Sequence, residues 1–127
     1  MKQLQVQAKR VLVVDDVPQV VMIVAAILQR MKKTYTVETA GNGHEALAKV
    51  RQGAYSLIIT DYQMPGMTGL ELARAVRHIS PDTQIVLMSG DDMAELCQAS
   101  RGLELAAFLS KPFSVTRLLD VVCHAVA

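Results

Sequence analysis

The stretch Val11-Leu12-Val13-Val14-Asp15-Asp16 decides how the rest of the chain reads. It is a short β-branched run that ends abruptly on two carboxylates. The form recurs twice. Leu57-Ile58-Ile59-Thr60 ends on Asp61, and Ile85-Val86-Leu87-Met88 ends on Ser89. Near-continuous apolar runs of this kind mark strands buried on both faces, as in a parallel sheet covered by helices. Tyr35–Thr39 and Ala106–Leu109 read as two further strands.

The intervening segments carry helical signals. Pro18 suits a first helical turn, and a helix is expected from there to about Met31. Gly41-Asn42-Gly43 reads as a turn, Glu45–Gln52 as a helix, and Gly53 as its C′ stop. Leu70, Ala73, Val76 and Ile79 repeat at helical spacing. Asp91–Arg101 reads as a short helix, and Ser114 is placed to cap a last one running to about Val126. Five strands alternating with five helices predict an α/β fold: a doubly wound five-stranded parallel sheet in a three-layer sandwich.

At 127 residues, against roughly 150 per domain, the chain has room for one domain. Hydrophobic residues make up 51% and charged residues 20%, a globular composition. Thirteen Lys and Arg against twelve Asp and Glu leave a net charge of +1, which argues against a dedicated nucleic-acid module. Cys97 and Cys123 lack CxxC spacing and read as reduced, partly buried thiols of a cytoplasmic protein. No Cys/His cluster suggests zinc, and residues 1–9 hold no signal-peptide core. The longest apolar run, Val20 to Leu28, is nine residues, too short to span a bilayer.

The net charge hides an uneven arrangement. In a doubly wound sheet, ligands bind at the carboxyl ends of the strands. Asp15, Asp16, Asp61, Asp91 and Asp92 all fall at that end. Most bases fall at the other, where they read as compensation of helix dipoles. Converging carboxylates repel one another unless something cationic sits among them. Two cations qualify. One is a hard, oxygen-preferring ion such as Mg²⁺. The other is Lys111, the one clear base at the acidic end. A metal, a lysine and a lone carboxylate suit a phosphoryl group, and a carboxylate can itself be the nucleophile. Asp61 is the best candidate acceptor, because Asp15 and Asp16 are paired for metal work. Ser89 is placed to hydrogen-bond a phosphoryl oxygen.

These residues resemble the receiver domain of two-component response regulators, a CheY-like, flavodoxin-like domain. The resemblance rests on VLVVDD (11–16), LIITDYQMPGMTG (57–69), VLMSG (86–90) and FLSKPF (108–113), in the right order. It covers residues 10–127 as the receiver domain and leaves 1–9 as an N-terminal extension. It implies that Asp61 accepts the phosphoryl group. Mg²⁺ would be held by Asp15, Asp16, Asp61 and the backbone carbonyl of Gln63. Ser89 and Lys111 would hold the phosphoryl oxygens, and Phe108 would be the aromatic that changes rotamer. The Lys111–Pro112 bond is similar to one that is cis in this family. The implied donor is a phosphohistidine on a histidine kinase or histidine phosphotransfer protein. The implied output is a changed surface around the fourth helix, fifth strand and fifth helix. That surface would control a downstream partner or a phosphorylation-dependent dimer in a cytoplasmic, bacterial signalling system. Such a domain is not an enzyme beyond its own phosphotransfer and autodephosphorylation. Gln63 and Asp91 occupy positions that tune phosphoryl lifetime in similar proteins.

Two alternatives share the same residues. A degenerate pseudo-receiver would mediate contacts only. An aspartate-nucleophile phosphatase of the haloacid-dehalogenase type would want its nucleophile in a DxD motif after the first strand, whereas Asp61 follows the third. The first helix carries one more expectation. Val20, Val24, Ile27 and Met31 make an inward stripe, flanked by Ile23 and Leu28, yet the outer face also holds Val21, Met22, Ala25 and Ala26. Met22, Ala25 and Ala26 are therefore expected to form a docking patch for a helical phosphodonor.

Overall fold

The computed structural model describes residues 9–31, 35–90 and 93–126. Strand β1 (Lys9–Val14) leads into helix α1 (Pro18–Met31), and β2 (Tyr35–Ala40) into α2 (Gly43–Gln52). Then β3 (Leu57–Asp61) leads into α3 (Gly69–Ile79), β4 (Gln84–Ser89) into α4 (Met93–Ala99), and β5 (Ala107–Ser110) into α5 (Val115–Val126). Every pairing is parallel, in the order β2-β1-β3-β4-β5. The fold is the doubly wound five-stranded parallel sheet with five helices that the sequence predicts. Connections from β1 and β3 depart to opposite sides, which opens a crevice at their carboxyl ends. The expected N-terminal extension lies outside the described residues except for Lys9, which opens β1.

Period-two alternation divides the strands between two cores. Val11, Val13, Leu57, Ile59, Val86, Met88 and Leu109 face α1 and α5, where Val24, Leu28, Leu118, Val121 and Val122 meet them. Leu12, Val14, Ile58 and Ile85 face α2 and α3, against Leu47, Val50, Leu72 and Val76. Leu87 packs with Leu70 and Leu96 under α4. Leu12, Ile58, Ile59 and Leu87 are all within 1% of complete burial. Each such side chain contributes roughly 1.5–3 kcal/mol of transfer free energy.

Helix boundaries follow local chemistry. Asn42 caps α2 by accepting the Glu45 N–H, so the helix opens at Gly43 rather than at Glu45. Thr68 and Glu71 form a reciprocal capping box at the start of α3. Ser114 accepts the Arg117 N–H at 3.0 Å, which is the expected cap of α5. Gly53 does end α2, but in extended backbone (φ −175°) rather than in a left-handed C′ turn. Its lack of a side chain serves Arg10, whose Nη1 would lie 2.5 Å from a Cβ there. Helix α4 closes at Ala99, two residues short of the expected Arg101. Its expected start at Asp91 lies outside the described residues.

Helix α1 corrects the expected phase. Val21 is buried (8% exposed) and Ile23 is open (59%), the reverse of the expected assignment. Val24 and Leu28 do point inward, while Val20 and Ile27 are only partly buried. The side chain of Met31 lies outside the described residues. Nine consecutive apolar residues offer no polar face to fix the phase, so the sheet chooses it.

Arg30, Lys49, Arg51 and Arg77 do stand in last helical turns, as dipole compensation expects, and three arginines at the far end make specific contacts besides. Arg10 pairs with Glu38 at 2.9 Å and stacks over the Tyr55 ring at 4.3 Å, and Tyr55 Oη donates to Glu38 at 2.8 Å. Arg77 donates to the carbonyls of Pro81, Thr83 and Glu104, and Arg74 to that of Ala99. Arg77 thus ties two loops to α3, and Arg74 ties the end of α4 to it. Cys97 and Cys123 are free thiols, and both are exposed rather than partly buried.

Candidate functional site

Four neighbouring strands deliver side chains to one crevice. Asp15 and Asp16 follow β1, Asp61 closes β3, Ser89 closes β4, and Lys111 follows β5. Each position lies at or just past the carboxyl end of its strand, where a polar side chain can turn into the crevice. Asp15 and Asp61 are buried, at 1% and 8% exposure, and Asp16 is exposed.

Asp15, Asp16 and Asp61 each bring a carboxylate oxygen within 4.8 Å of the other two. Lys111 Nζ lies 2.9 Å from Asp15 Oδ2 and 2.9 Å from Asp61 Oδ1. The second oxygen of Asp15 accepts the Val17 N–H at 3.0 Å, which fixes its rotamer. Both cations considered for the cluster thus have a place: the lysine already bridges two carboxylates, and the acidic group as a whole is capable of holding a metal ion. The donor set is all carboxylate oxygen, with no nitrogen or sulfur. That chemistry fits a hard ion of the Mg²⁺ type and not zinc.

Electrostatics follow from this crowding. Burial raises the pKa of Asp61; the Lys111 hydrogen bond opposes it, and the Asp15 charge adds to it. For Lys111, burial alone would lower the pKa, but the bonds to Asp61 and Asp15 outweigh it and the pKa is raised. Lys111 is therefore held as an ammonium between Asp15 and Asp61, and burial shifts the Asp61 carboxyl upward against the pull of that lysine.

Ser89 is buried at the end of β4, and its carbonyl accepts the Lys111 N–H at 2.8 Å, which links the two side chains' backbones. The Lys111–Pro112 bond is cis. Gln63 is exposed in the loop that follows β3. Phe108 sits apart from the carboxylates, partly buried on β5 beside Leu70, Leu87 and Leu96. It lines an open cavity of about 490 Å³ that also touches Met93, Phe113 and Arg117. On α1, Met22 is 70% exposed and Ala26 is exposed, whereas Ala25 is half-buried. Asp91 and Asp92 lie outside the described residues. Two contributors escaped the sequence reading. One is the Val17 N–H on Asp15. The other is the Thr68–Glu71 capping box, which the T-x-x-E spacing in residues 68–71 would have signalled.

The family model of the response regulator receiver domain matches residues 11–123. Response regulator receiver protein CpdR of Brucella abortus is 32% identical over 114 residues, covering 90% of this chain and 93% of that protein. Other curated relatives are longer, and the chain spans about half the length of several of them (47%, 47% and 45%). Among solved structures, chemotaxis protein CheY4 of Vibrio cholerae is 35% identical with a TM-score of 0.85, over 92% of this chain and 98% of that one. Response regulator TrrA of Thermotoga maritima, solved in complex with Mg²⁺ and BeF, is 34% identical with a TM-score of 0.79, over 92% and 98% of the two chains. A carboxylate cluster and a bridging lysine on a β2-β1-β3-β4-β5 sheet thus coincide with a family match along most of the sequence, and the chain belongs to the response regulator receiver domain family, the phosphorylatable switches of two-component systems.

Proposed function

We propose that Asp61 accepts a phosphoryl group from a phosphohistidine on a histidine kinase or histidine phosphotransfer protein, and that this event resets a partner-binding surface. The reading places the receiver unit at residues 10–127. The observation that carries it is the Lys111 bridge, 2.9 Å from both Asp15 and Asp61, beside a third carboxylate on Asp16.

Asp61 Oδ attacks phosphorus in line with the donor imidazole; the O–P bond forms as the N–P bond breaks, and the bonding pair leaves with the imidazole nitrogen. Lys111 exchanges its contact with Asp61 Oδ1 for a phosphoryl oxygen without leaving Asp15. Ser89, at the end of β4, offers its hydroxyl to another phosphoryl oxygen. Asp15, Asp16, Asp61 and the Gln63 carbonyl would hold Mg²⁺. When bound, the ion supplies charge neutralisation of the transferring phosphoryl group. As Ser89 moves toward the new dianion, the ring of Phe108 turns inward into the space beside Leu87 and Leu96. The open cavity that Phe108 lines between β5 and α5 changes shape in consequence. A downstream protein, or a second copy in a phosphorylation-dependent dimer, reads the difference between the two populations.

The exposed face of α1 is where the phosphodonor docks. Met22 and Ile23, at 70% and 59% exposure, lead this face, with Val17 at 42%. An apolar cavity of about 410 Å³ lined by Val20, Ile23, Val24, Lys111, Pro112 and Phe113 joins it to the site lysine. The patch is therefore centred on Met22, Ile23 and Ala26, with Ala25 contributing only half its surface.

Among the described residues no helix is long and apolar enough to cross a membrane. The aspartate-nucleophile phosphatase alternative wants its acceptor after the first strand, whereas Asp61 ends β3. The deciding experiment is Mg²⁺-dependent labelling by a small phosphodonor, or beryllofluoride binding, with Asp61→Asn as control. Labelling is expected in the parent and absent in the variant. Undiminished labelling of Asp61→Asn moves the acceptor elsewhere, and an unlabelled parent favours the pseudo-receiver.

A further inference from the structure

We propose that Gly69 is a positioning residue: its missing side chain lets the first turn of α3 seat against the backbone of Asp61 and so fixes the acceptor carboxylate. The inference rests on the reading of Asp61 as acceptor and metal ligand.

The chain leaves the sheet after Asp61, runs through residues 62–68, and returns at Gly69. There the Gly69 N–H donates to the Tyr62 carbonyl at 2.7 Å and closes the loop on itself. On its other side, the Tyr62 N–H donates to the Met88 carbonyl at 2.8 Å, which keeps this end of the loop in register with β4. Gly69 is buried and does not use a positive φ; among the described glycines only Gly66 and Gly102 do. Backbone freedom is therefore not what the position requires.

Space is what it requires. A Cβ on Gly69 would collide with the Asp61 carbonyl oxygen. It would also come within 3.0 Å of Tyr62 Cα and 3.1 Å of the Asp61 carbonyl carbon. All three atoms are backbone, so no flexible side chain can move aside. Gly43 differs, because its collision is with the Met67 side chain. Gly41 meets nothing closer than 3.6 Å. The Asp61 carbonyl is hemmed in from within the strand as well, since it accepts the Thr60 hydroxyl at 3.0 Å. A side chain at position 69 must therefore force the first turn of α3 and the Asp61–Tyr62 peptide apart. That peptide carries the acceptor carboxylate on one side, and on the other leads through Tyr62 to Gln63. Supporting residues that aim metal ligands typically change affinity by about 10–100-fold when altered. Misplacement of a reacting group by about 1 Å costs about 100-fold in rate.

The test is a Mg²⁺ titration followed by amide NMR shifts on parent, Gly69→Ala and Gly41→Ala, with urea midpoints measured alongside. Gly69→Ala is expected to bind Mg²⁺ about tenfold more weakly and to take a phosphoryl group from a small donor about 100-fold more slowly. Gly41→Ala is expected to match the parent. A glycine needed only for packing would lower the urea midpoint and leave the Mg²⁺ affinity of the folded protein unchanged; that result overturns the proposal. If Gly69→Ala does not fold in buffer, the same Mg²⁺ titration is run with it refolded in the stabilising osmolyte trimethylamine N-oxide; parental Mg²⁺ affinity there overturns the proposal too. A parent that binds neither Mg²⁺ nor beryllofluoride refutes the reading of the site and the inference with it. A parent that binds both, with Gly69→Ala equal to it, refutes the inference alone.

Discussion

Replacing Lys111 by methionine keeps most of the side chain's length and volume and deletes the charge with the N–H donors that reach Asp15 and Asp61. The ammonium bridges two carboxylates, each at 2.9 Å, and the Asp15 side chain is fully buried. Without it, Asp15 and Asp61 face each other with charged oxygens no more than 4.8 Å apart. At an effective dielectric of about 20, that separation is worth about 3.5 kcal/mol of repulsion. Lys111 is 26% exposed, so water entering its place relieves part of the repulsion. A loss of about 2–3 kcal/mol is expected at neutral pH in EDTA, against about 5–15 kcal/mol for a typical domain. The loss has a defined pH dependence. Burial already raises the Asp61 pKa, and removing Lys111 raises it further. A carboxyl whose pKa is raised by folding contributes stability below its unfolded pKa and loses it as pH rises through the folded value. The deficit of Lys111→Met should therefore be greatest at neutral pH and shrink as pH falls toward about 4. Mg²⁺ should narrow it as well, since an ion bound only by the folded state stabilises by mass action. The assay is urea unfolding followed by far-UV circular dichroism, in EDTA and in Mg²⁺, across that pH range. A deficit below about 0.5 kcal/mol at neutral pH, or one that ignores pH, would refute the electrostatic account.

Tyr55→Phe tests the far end of the sheet. Burial, followed by the bond to Glu38, pushes the Tyr55 pKa up from 10.0 to about 12. Its neutral form therefore stabilises the parent below pH 10 and that gain fades as pH rises toward 12. Between about pH 9 and about pH 11.5 the parent should lose about 2 kcal/mol that Tyr55→Phe does not lose, and parallel urea midpoints would contradict this. Met22→Glu should slow phosphotransfer from the cognate kinase by about tenfold, a loss of about 1.4 kcal/mol at the docking surface, and leave small-donor labelling unchanged; equal loss in both assays removes α1 as the docking face. Leu12→Ala, in the core between the sheet and α2–α3, should cost about 2–5 kcal/mol by urea titration, and a cost under about 1 kcal/mol would mean the site collapses around the void.

What could be read from the chain divides along physical lines. Strands buried on both faces need apolar residues at every position, so Val11–Val14, Leu57–Thr60 and Ile85–Met88 announced themselves, and the polar residues that end them marked the crevice. The roles proposed for Asp15, Asp16, Asp61, Ser89 and Lys111 were legible for the same reason: each stands where an apolar run stops. Helix α1 was found but not oriented. Its apolar residues occupy all sides, and only contact with β1, β2 and α5 decides that Val21 is inside and Ile23 outside. The edge strand β5 was placed one residue early, because Ala106 and Ala107 differ in pairing and not in chemistry. Gly69 was unreadable for another reason. Its role is an absence of atoms at a contact between two backbones, and no residue pattern encodes that distance.

The bridge from Lys111 to Asp15 joins residues 96 positions apart. Asp15 belongs to a strand at the start of the chain, and Lys111 follows an edge strand near its end. On a ribosome the acidic cluster emerges long before the cation that neutralises it. On the reading proposed for Asp61, the pocket is therefore incomplete until β5 has docked and brought Lys111 to Asp15 and Asp61. A pocket assembled from the first strand and the last in this way makes the proposed chemistry depend on the closed fold.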